Sequence, residues 1–214
     1  MTPADVITEV RRMISDTTGS QRFTDAILLG FVNQTIKRMM VVRPDLFSVI
    51  ADISTTPSQI VQTLPSDSVR LVEIYQVKNG NAVTEAERET FDRTYPGWAN
   101  DADGTPTNYM RHVRSPNKFF LYPRPSAGIV LVAEYVQVQP TYATGDTITI
   151  LSDAYLPHLV DGTVFLAQSI DNEHVNSGRA KLFYDLFINN LTTGLQSRPL
   201  TDYEDGGLDP KQVI

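Results

Sequence analysis

The 214-residue sequence predicts an α+β fold: a bundle of four helices, two from each end of the chain, with an antiparallel, sandwich-like β domain inserted between the second and third and carrying one short helix. Three observations predict it. Apolar residues recur at helical spacing through residues 1–47, the period shortens to that of strands over 48–150, and helical spacing returns over 151–195. The middle stretch is also rich in β-branched and aromatic residues, with turn residues at short intervals. Neither helical pair alone has enough surface to bury its apolar stripe, so each is expected to pack on the other. Residues 196–214, with Pro199, Gly206, Gly207 and Pro210, are expected as an extended tail.

The elements follow in order. Thr2 caps a first helix with Pro3 at its opening position, and Val6, Val10, Met13 and Ile14 form its stripe until the Asp16-Thr17-Thr18-Gly19 break. Thr24 caps the second, where Phe23 staples onto Leu28 and Leu28, Phe31, Val32, Ile36 and Met39 or Met40 face inward; Arg43-Pro44 ends it. Strands are expected at 47–53, 60–64, 69–78, 109–114, 118–122, 129–138 and 147–150. Asn79-Gly80, Ser115-Pro116-Asn117 and Ser126-Ala127-Gly128 mark turns short enough to require antiparallel pairing. Thr84 and Glu87 read as a capping box for a helix bearing Phe91 and Tyr95 and stopped by Pro96-Gly97. Asp153 is the expected cap of a helix carrying Leu156, Val160, Val164, Ala167 and Ile170. The last helix carries Ala180, Phe183, Phe187 and Leu191, with Tyr184 and Ile188 beside that stripe.

Composition excludes several function classes. With 41% hydrophobic and 20% charged residues the chain is an ordinary folded protein. It has no run of about 20 apolar residues, and its start carries Asp5 and Glu9 where a signal peptide is basic and then apolar, so a soluble protein made in the cytoplasm is expected. The absence of cysteine removes disulfides, thiolate metal sites and cysteine nucleophiles. A net charge of -7 argues against a general nucleic-acid binder, since counterion release needs clustered cations. After Ile150 the chain has four basic and nine acidic residues, so the negative charge gathers at the C-terminal end.

No constellation for catalysis emerges. His112, His158 and His174 stand far apart without a second ligand at metal spacing. Asn100-Asp101-Ala102-Asp103-Gly104 resembles a calcium loop, but the twelfth position from Asp101 is His112 where a bidentate Glu is required. Glu85, Glu87, Glu89 and Asp92 suit a solvated helix start better than a carboxylate pair. No phosphate-cradling glycine loop or nucleophile elbow is present. No enzyme, cofactor or metal is expected.

Ordered motifs nevertheless span nearly the whole chain. Arg43-Pro44-Asp45-Leu46-Phe47 closes the second helix, and Gln62-Thr63-Leu64-Pro65 precedes the long strand. Arg88 is followed by Phe91-Asp92 and Tyr95-Pro96-Gly97-Trp98; then come Pro106 with Tyr109, Phe119 with Tyr122-Pro123 and Pro125, Tyr135 with Pro140, and Asp153 with Tyr155. In this order and spacing the sequence resembles the head-to-tail adaptor, or connector, family of tailed bacteriophages, as found in short-tailed phages. The resemblance implies a non-enzymatic virion protein at the head–tail junction. It implies a ring of twelve copies beneath the portal, helices lining the ring, the β part facing outward, and contact with a tail or nozzle protein and possible tail fibres. Genomic DNA would pass through the lumen without specific binding, and negative side chains facing it would keep DNA from sticking.

Two sets of residues are candidates for contact. Leu200, Tyr203, Leu208, Val213 and Ile214 are apolar anchors in the polar tail, the composition of a segment that orders on a partner, here the portal protein. Trp98 and Tyr109 are a candidate contact surface of the β domain. The rival reading is a β-sandwich recognition module that binds carbohydrate, or another virion protein, through such rings.

Overall fold

A computed structural model of the chain describes residues 1–16, 22–170 and 177–196. It is an α+β structure of two compact units: Met1–Arg43 with Tyr142–Ile214, and Pro44–Thr141.

The first unit is helical. In α1 (Pro3–Ile14) the Thr2 and Asp5 side chains and backbones form a capping box, which satisfies two of the orphan donors at the helix start. Thr24 caps α2 (Asp25–Val42), which stops two residues before Pro44. Ser152, rather than the expected Asp153, caps a 3-10 turn (Asp153–Tyr155) leading into α4 (Leu156–Gln168), and α5 (Ser177–Gln196) follows. Asp153 is instead paired with the N-terminal amine, 2.6 Å away.

Within this unit α4 packs against α1, α2 and α5. Leu159 to Val164 are all buried, the pattern of a helix covered on all sides. Gly162 marks the closest approach: a Cβ there would lie 2.5 Å from Thr35 Cγ2 and 2.9 Å from Phe187 Cε2. Ala180, Phe183, Phe187 and Leu191 form the buried face of α5. Between α1 and α2, Arg11 donates to Asp16 (2.8 Å), to the Phe23 carbonyl (2.9 Å) and to Asp25.

Residues 147–150, expected as a strand, form none. Ile148 alternates with threonines as a strand residue would, but its N–H donates to the Met1 carbonyl and its side chain is buried in the helical unit. The Asn33 amide fixes this return of the chain by bonding both the carbonyl (3.0 Å) and the N–H (2.8 Å) of Tyr142.

The second unit holds two sheets. One has the order β1-β7-β3, formed by β1 (Ser48–Ser54), β7 (Val130–Gln137) and β3 (Ser68–Val77), all antiparallel. The other has the order β2-β6-β5-β4, formed by β2 (Val61–Thr63), β6 (Lys118–Tyr122), β5 (Asn108–Arg111) and β4 (Thr84–Glu85). The short β4 runs parallel to β5. Alternate residues of β6 explain why this sheet is buried on both faces. Phe119 and Leu121 join Leu71, Ile74, Leu131 and Tyr135 between the sheets, while Phe120 joins Met110 and Trp98 on the other face.

Helix α3 (Arg88–Thr94) covers that second face. The expected capping box does not form. Thr84 is drawn into the sheet, its N–H and hydroxyl donating to the Thr107 carbonyl, and Glu87 stands at the N-cap without capping a backbone N–H, its carboxylate accepting instead from the Thr90 hydroxyl at 3.1 Å. The two-residue pairing with β5 satisfies more backbone groups than one capping bond would.

Candidate functional site

The residues singled out in the sequence have clear places. Trp98 is 5% and Tyr109 1% exposed. The Trp98 indole donates to Asp92 at 2.8 Å, and its ring meets Phe91, Phe120 and Tyr122 edge-on with centroids 6.1–6.5 Å apart. Tyr109 points between the sheets and donates its hydroxyl to Glu85 at 3.0 Å. Both rings are packing residues of the β unit, with no open face for a sugar or a partner. Leu200, Tyr203, Leu208, Val213 and Ile214 lie outside the described residues.

Carboxylates that resembled a cation loop or an acid pair are engaged by protein donors. Asp101 accepts from the hydroxyls of Tyr95 and Tyr122, each at 2.8 Å, which raises both tyrosine pKa values above 10.0. Asp103 pairs with Arg124 at 3.1 Å and accepts from Ser58. Arg111 donates to Glu85 at 2.6 and 3.1 Å and to the carbonyls of Leu71 (3.0 Å) and Val72, so one guanidinium ties the edge strand β4 to β3 of the other sheet. Those bonds hold Glu85 below its ordinary pKa of 4.5, while burial and then Glu85 push Tyr109 up to about 12. Among the described residues no group of three or more His, Asp or Glu is placed to hold a metal.

The histidines separate. His112 accepts from the Ser115 N–H at 3.1 Å and stacks on Phe120, interplanar angle 11°. His158 on α4 lies half-buried near Asp161 and Asn190, and burial lowers its pKa from 6.5 and raises that of Asp161 from 3.8. Arg43 donates to the Leu191 carbonyl at 2.8 Å beside this cluster. The arrangement ties α4 to α5. His174 lies outside the described residues.

Two open surfaces of unlike chemistry stand out, one on each unit. On the helical unit, Val41, Val42, Tyr184, Phe187 and Ile188 line an apolar groove of about 390 Å³ between α2 and α5, with Lys37 and Arg38 on its rim. Val41 is 79% exposed, and Leu182, Tyr184 and Leu186 are also open. On the β unit, the turn from β5 to β6 projects Val113, 97% exposed, beside a concavity of about 230 Å³ lined by Arg70, Arg111, His112 and Lys118 with Leu71 and Pro116. Sequence reasoning missed both. The signals were Tyr184 and Ile188 standing off the buried stripe, and four basic or titratable side chains between Arg111 and Lys118 in an acidic protein.

Open apolar and basic surfaces are what a component of an assembly presents. The chain belongs to the SU10 adaptor protein family, whose model it matches over residues 1–207. It is therefore a structural adaptor of a bacteriophage and a component of the virion. No curated protein matches it. Among the described residues no helix is long and apolar enough to cross a membrane.

Proposed function

We propose that the protein forms a ring beneath the phage portal that joins the capsid to the tail and leaves a passage for DNA. The match to an adaptor family along residues 1–207 carries this reading. A closed ring needs heterologous contacts, so each copy must present two different surfaces that complement each other. The apolar groove of the helical unit and the basic hairpin of the β unit support the reading because they are chemically unlike.

In this reading twelve copies close the ring, helices line it, the β unit faces outward toward tail or nozzle protein, and residues 197–214 contact the portal through Leu200, Tyr203, Leu208, Val213 and Ile214. DNA passes without specific contacts because the chain carries a net charge of -7 and offers phosphates few fixed cations in exchange for their counterions. Native mass spectrometry and electron microscopy of the protein alone and mixed with its portal test the reading. A ring on the portal is expected; a monomer that ignores the portal overturns it. Strong, salt-sensitive binding of duplex DNA counts against the passive channel.

A further inference from the structure

We propose that in the free subunit the chain's own C-terminal segment, residues 197–214, seats in the groove between α2 and α5, with its apolar side chains on the groove floor and its carboxylates on Lys37 and Arg38. Three observations carry this.

The first is the groove. Its lining is apolar apart from Lys37 and Arg38, and Val41 stands 79% exposed on its wall. Contiguous apolar surface of this kind gains free energy when covered. Arg38 rests over the Phe165 ring, 5.5 Å from its centroid. Among the described residues neither Lys37 nor Arg38 has an ion-pairing carboxylate.

The second is composition. Asp202, Glu204, Asp205 and Asp209 outnumber Arg198 and Lys211, and Leu200, Tyr203 and Leu208 interrupt them. Gly206-Gly207 and Pro210 disfavour helix and suit an extended strand of chain lying in a groove.

The third is reach and order. Arg43 at the end of α2 bonds Leu191 of α5, and Lys37 and Arg38 share the groove with Tyr184, so the two helices run the same way along it. α5 ends at Gln196, eight residues past Ile188, or about 12 Å along the axis. The seven residues from Ser197 to Tyr203 span up to about 23 Å when extended, enough to turn and come back. A chain returning this way brings Leu200 and Tyr203 to Val42 and Ile188 first. Glu204 and Asp205 then arrive at Lys37 and Arg38. The order of the segment matches the order of the groove.

This inference does not rest on the ring: a portal that binds the tail would have to draw it out of the groove. The natural chain lacks cysteine, so disulfide trapping in the full-length protein has no background. In V41C/D202C, oxidation at low micromolar concentration is expected to give an intramolecular disulfide at least tenfold faster than in T8C/D202C, whose first cysteine lies on α1. Adding Lys37→Glu and Arg38→Glu should slow it several-fold. Equal rates in the two pairs overturn the proposal, as does a disulfide between copies whose rate rises with concentration, which would assign the groove to a neighbouring subunit. A second measurement leaves the groove's apolar residues intact. Hydrogen exchange of the 200–205 peptide should quicken several-fold in K37E/R38E, and unchanged exchange sinks the idea.

Discussion

Gly162→Ala sets two well-measured effects against each other. Helix propensity favours alanine over glycine by about 1 kcal/mol in a helix interior. Packing opposes it. The new methyl would lie 2.5 Å from Thr35 Cγ2 and 2.9 Å from Phe187 Cε2, nearer than real Cβ contacts come, and 3.0 Å from Phe187 Cδ2, tighter than nearly all of them. Thr35 and Phe187 are both buried, so neither can swing into solvent, and relief requires α4 to move against α2 and α5. Overpacking of this kind costs about 1–3 kcal/mol and sometimes more. With three contacts at or below 3.0 Å the upper end applies. The expected net loss is about 2 kcal/mol, or roughly 4–8 °C in Tm for a chain of this size. Urea and thermal unfolding followed by far-ultraviolet circular dichroism measure it. Thr35→Ser removes the Cγ2 methyl but keeps the hydroxyl that faces Thr163 at 3.4 Å, so T35S/G162A should recover part of the loss. A coupling above about 0.5 kcal/mol is expected, since the two sites touch. If Gly162→Ala is as stable as the natural chain, or more so, the close approach of the three helices is wrong.

Other outcomes follow from the same structure. Trp98→Ala should cost about 3–5 kcal/mol, the range for deleting a buried aromatic ring, and should not alter any surface property; denaturant unfolding checks it. Glu85, held below 4.5 by Arg111, binds fewer protons in the native than in the unfolded state, so its contribution is complete above 4.5 and fades as pH falls through the lowered value. Because both side chains are about half exposed, solvent screening limits this to under about 1 kcal/mol, and Glu85→Gln should flatten the acid limb of the stability curve by that amount. His158 has a lowered native pKa, so the unfolded state takes up its proton first as pH drops below 6.5, and stability falls across that window. Chemical denaturation at pH 7.5 and 5.5 should show a smaller difference in His158→Gln than in the natural chain. Arg11→Met strips a nearly buried Asp16 of its cation and should cost about 3 kcal/mol, read as a lower Tm, with Asp16→Asn in the same chain restoring part.

Local chemistry was legible in the sequence where one residue decides. Thr2 and Thr24 cap as their neighbours predict, and the 180, 183, 187, 191 stripe is the buried face of α5. What failed depended on partners distant in the chain. Thr84 had a choice between capping α3 and joining a sheet, and the sheet edge that decides it comes from residue 108. Ile148 alternates like a strand residue, but among the described residues no strand pairs with it and Met1 supplies its hydrogen bond. Trp98 sits in a polar stretch and reads as open, until α3 and β6 close over it. Gly162 reads as a weak helix residue, because only three packed helices reveal why a side chain does not fit. The apolar groove escaped notice because a groove is a relation between helices, not a pattern within one, and the basic concavity because β3 brings Arg70 and Leu71 to the β5–β6 turn.

Arg11 and Asp16 have a bearing on how the chain can be altered. Asp16 accepts from the N–H groups of Arg22 (2.6 Å) and Phe23 (3.2 Å), and Arg11 crosses from α1 to Asp16, Phe23 and Asp25. The ends of the connection, at residues 16 and 22, are thus laced together by the side chains of Arg11 and Asp16, which fix the start of α2 against the end of α1. A connection whose two ends are fixed is a natural insertion point, because lengthening it adds little closure entropy. A peptide tag or fluorophore spliced between Thr18 and Gly19 should leave the helices undisturbed, giving a handle by which the protein can be located inside an intact phage particle.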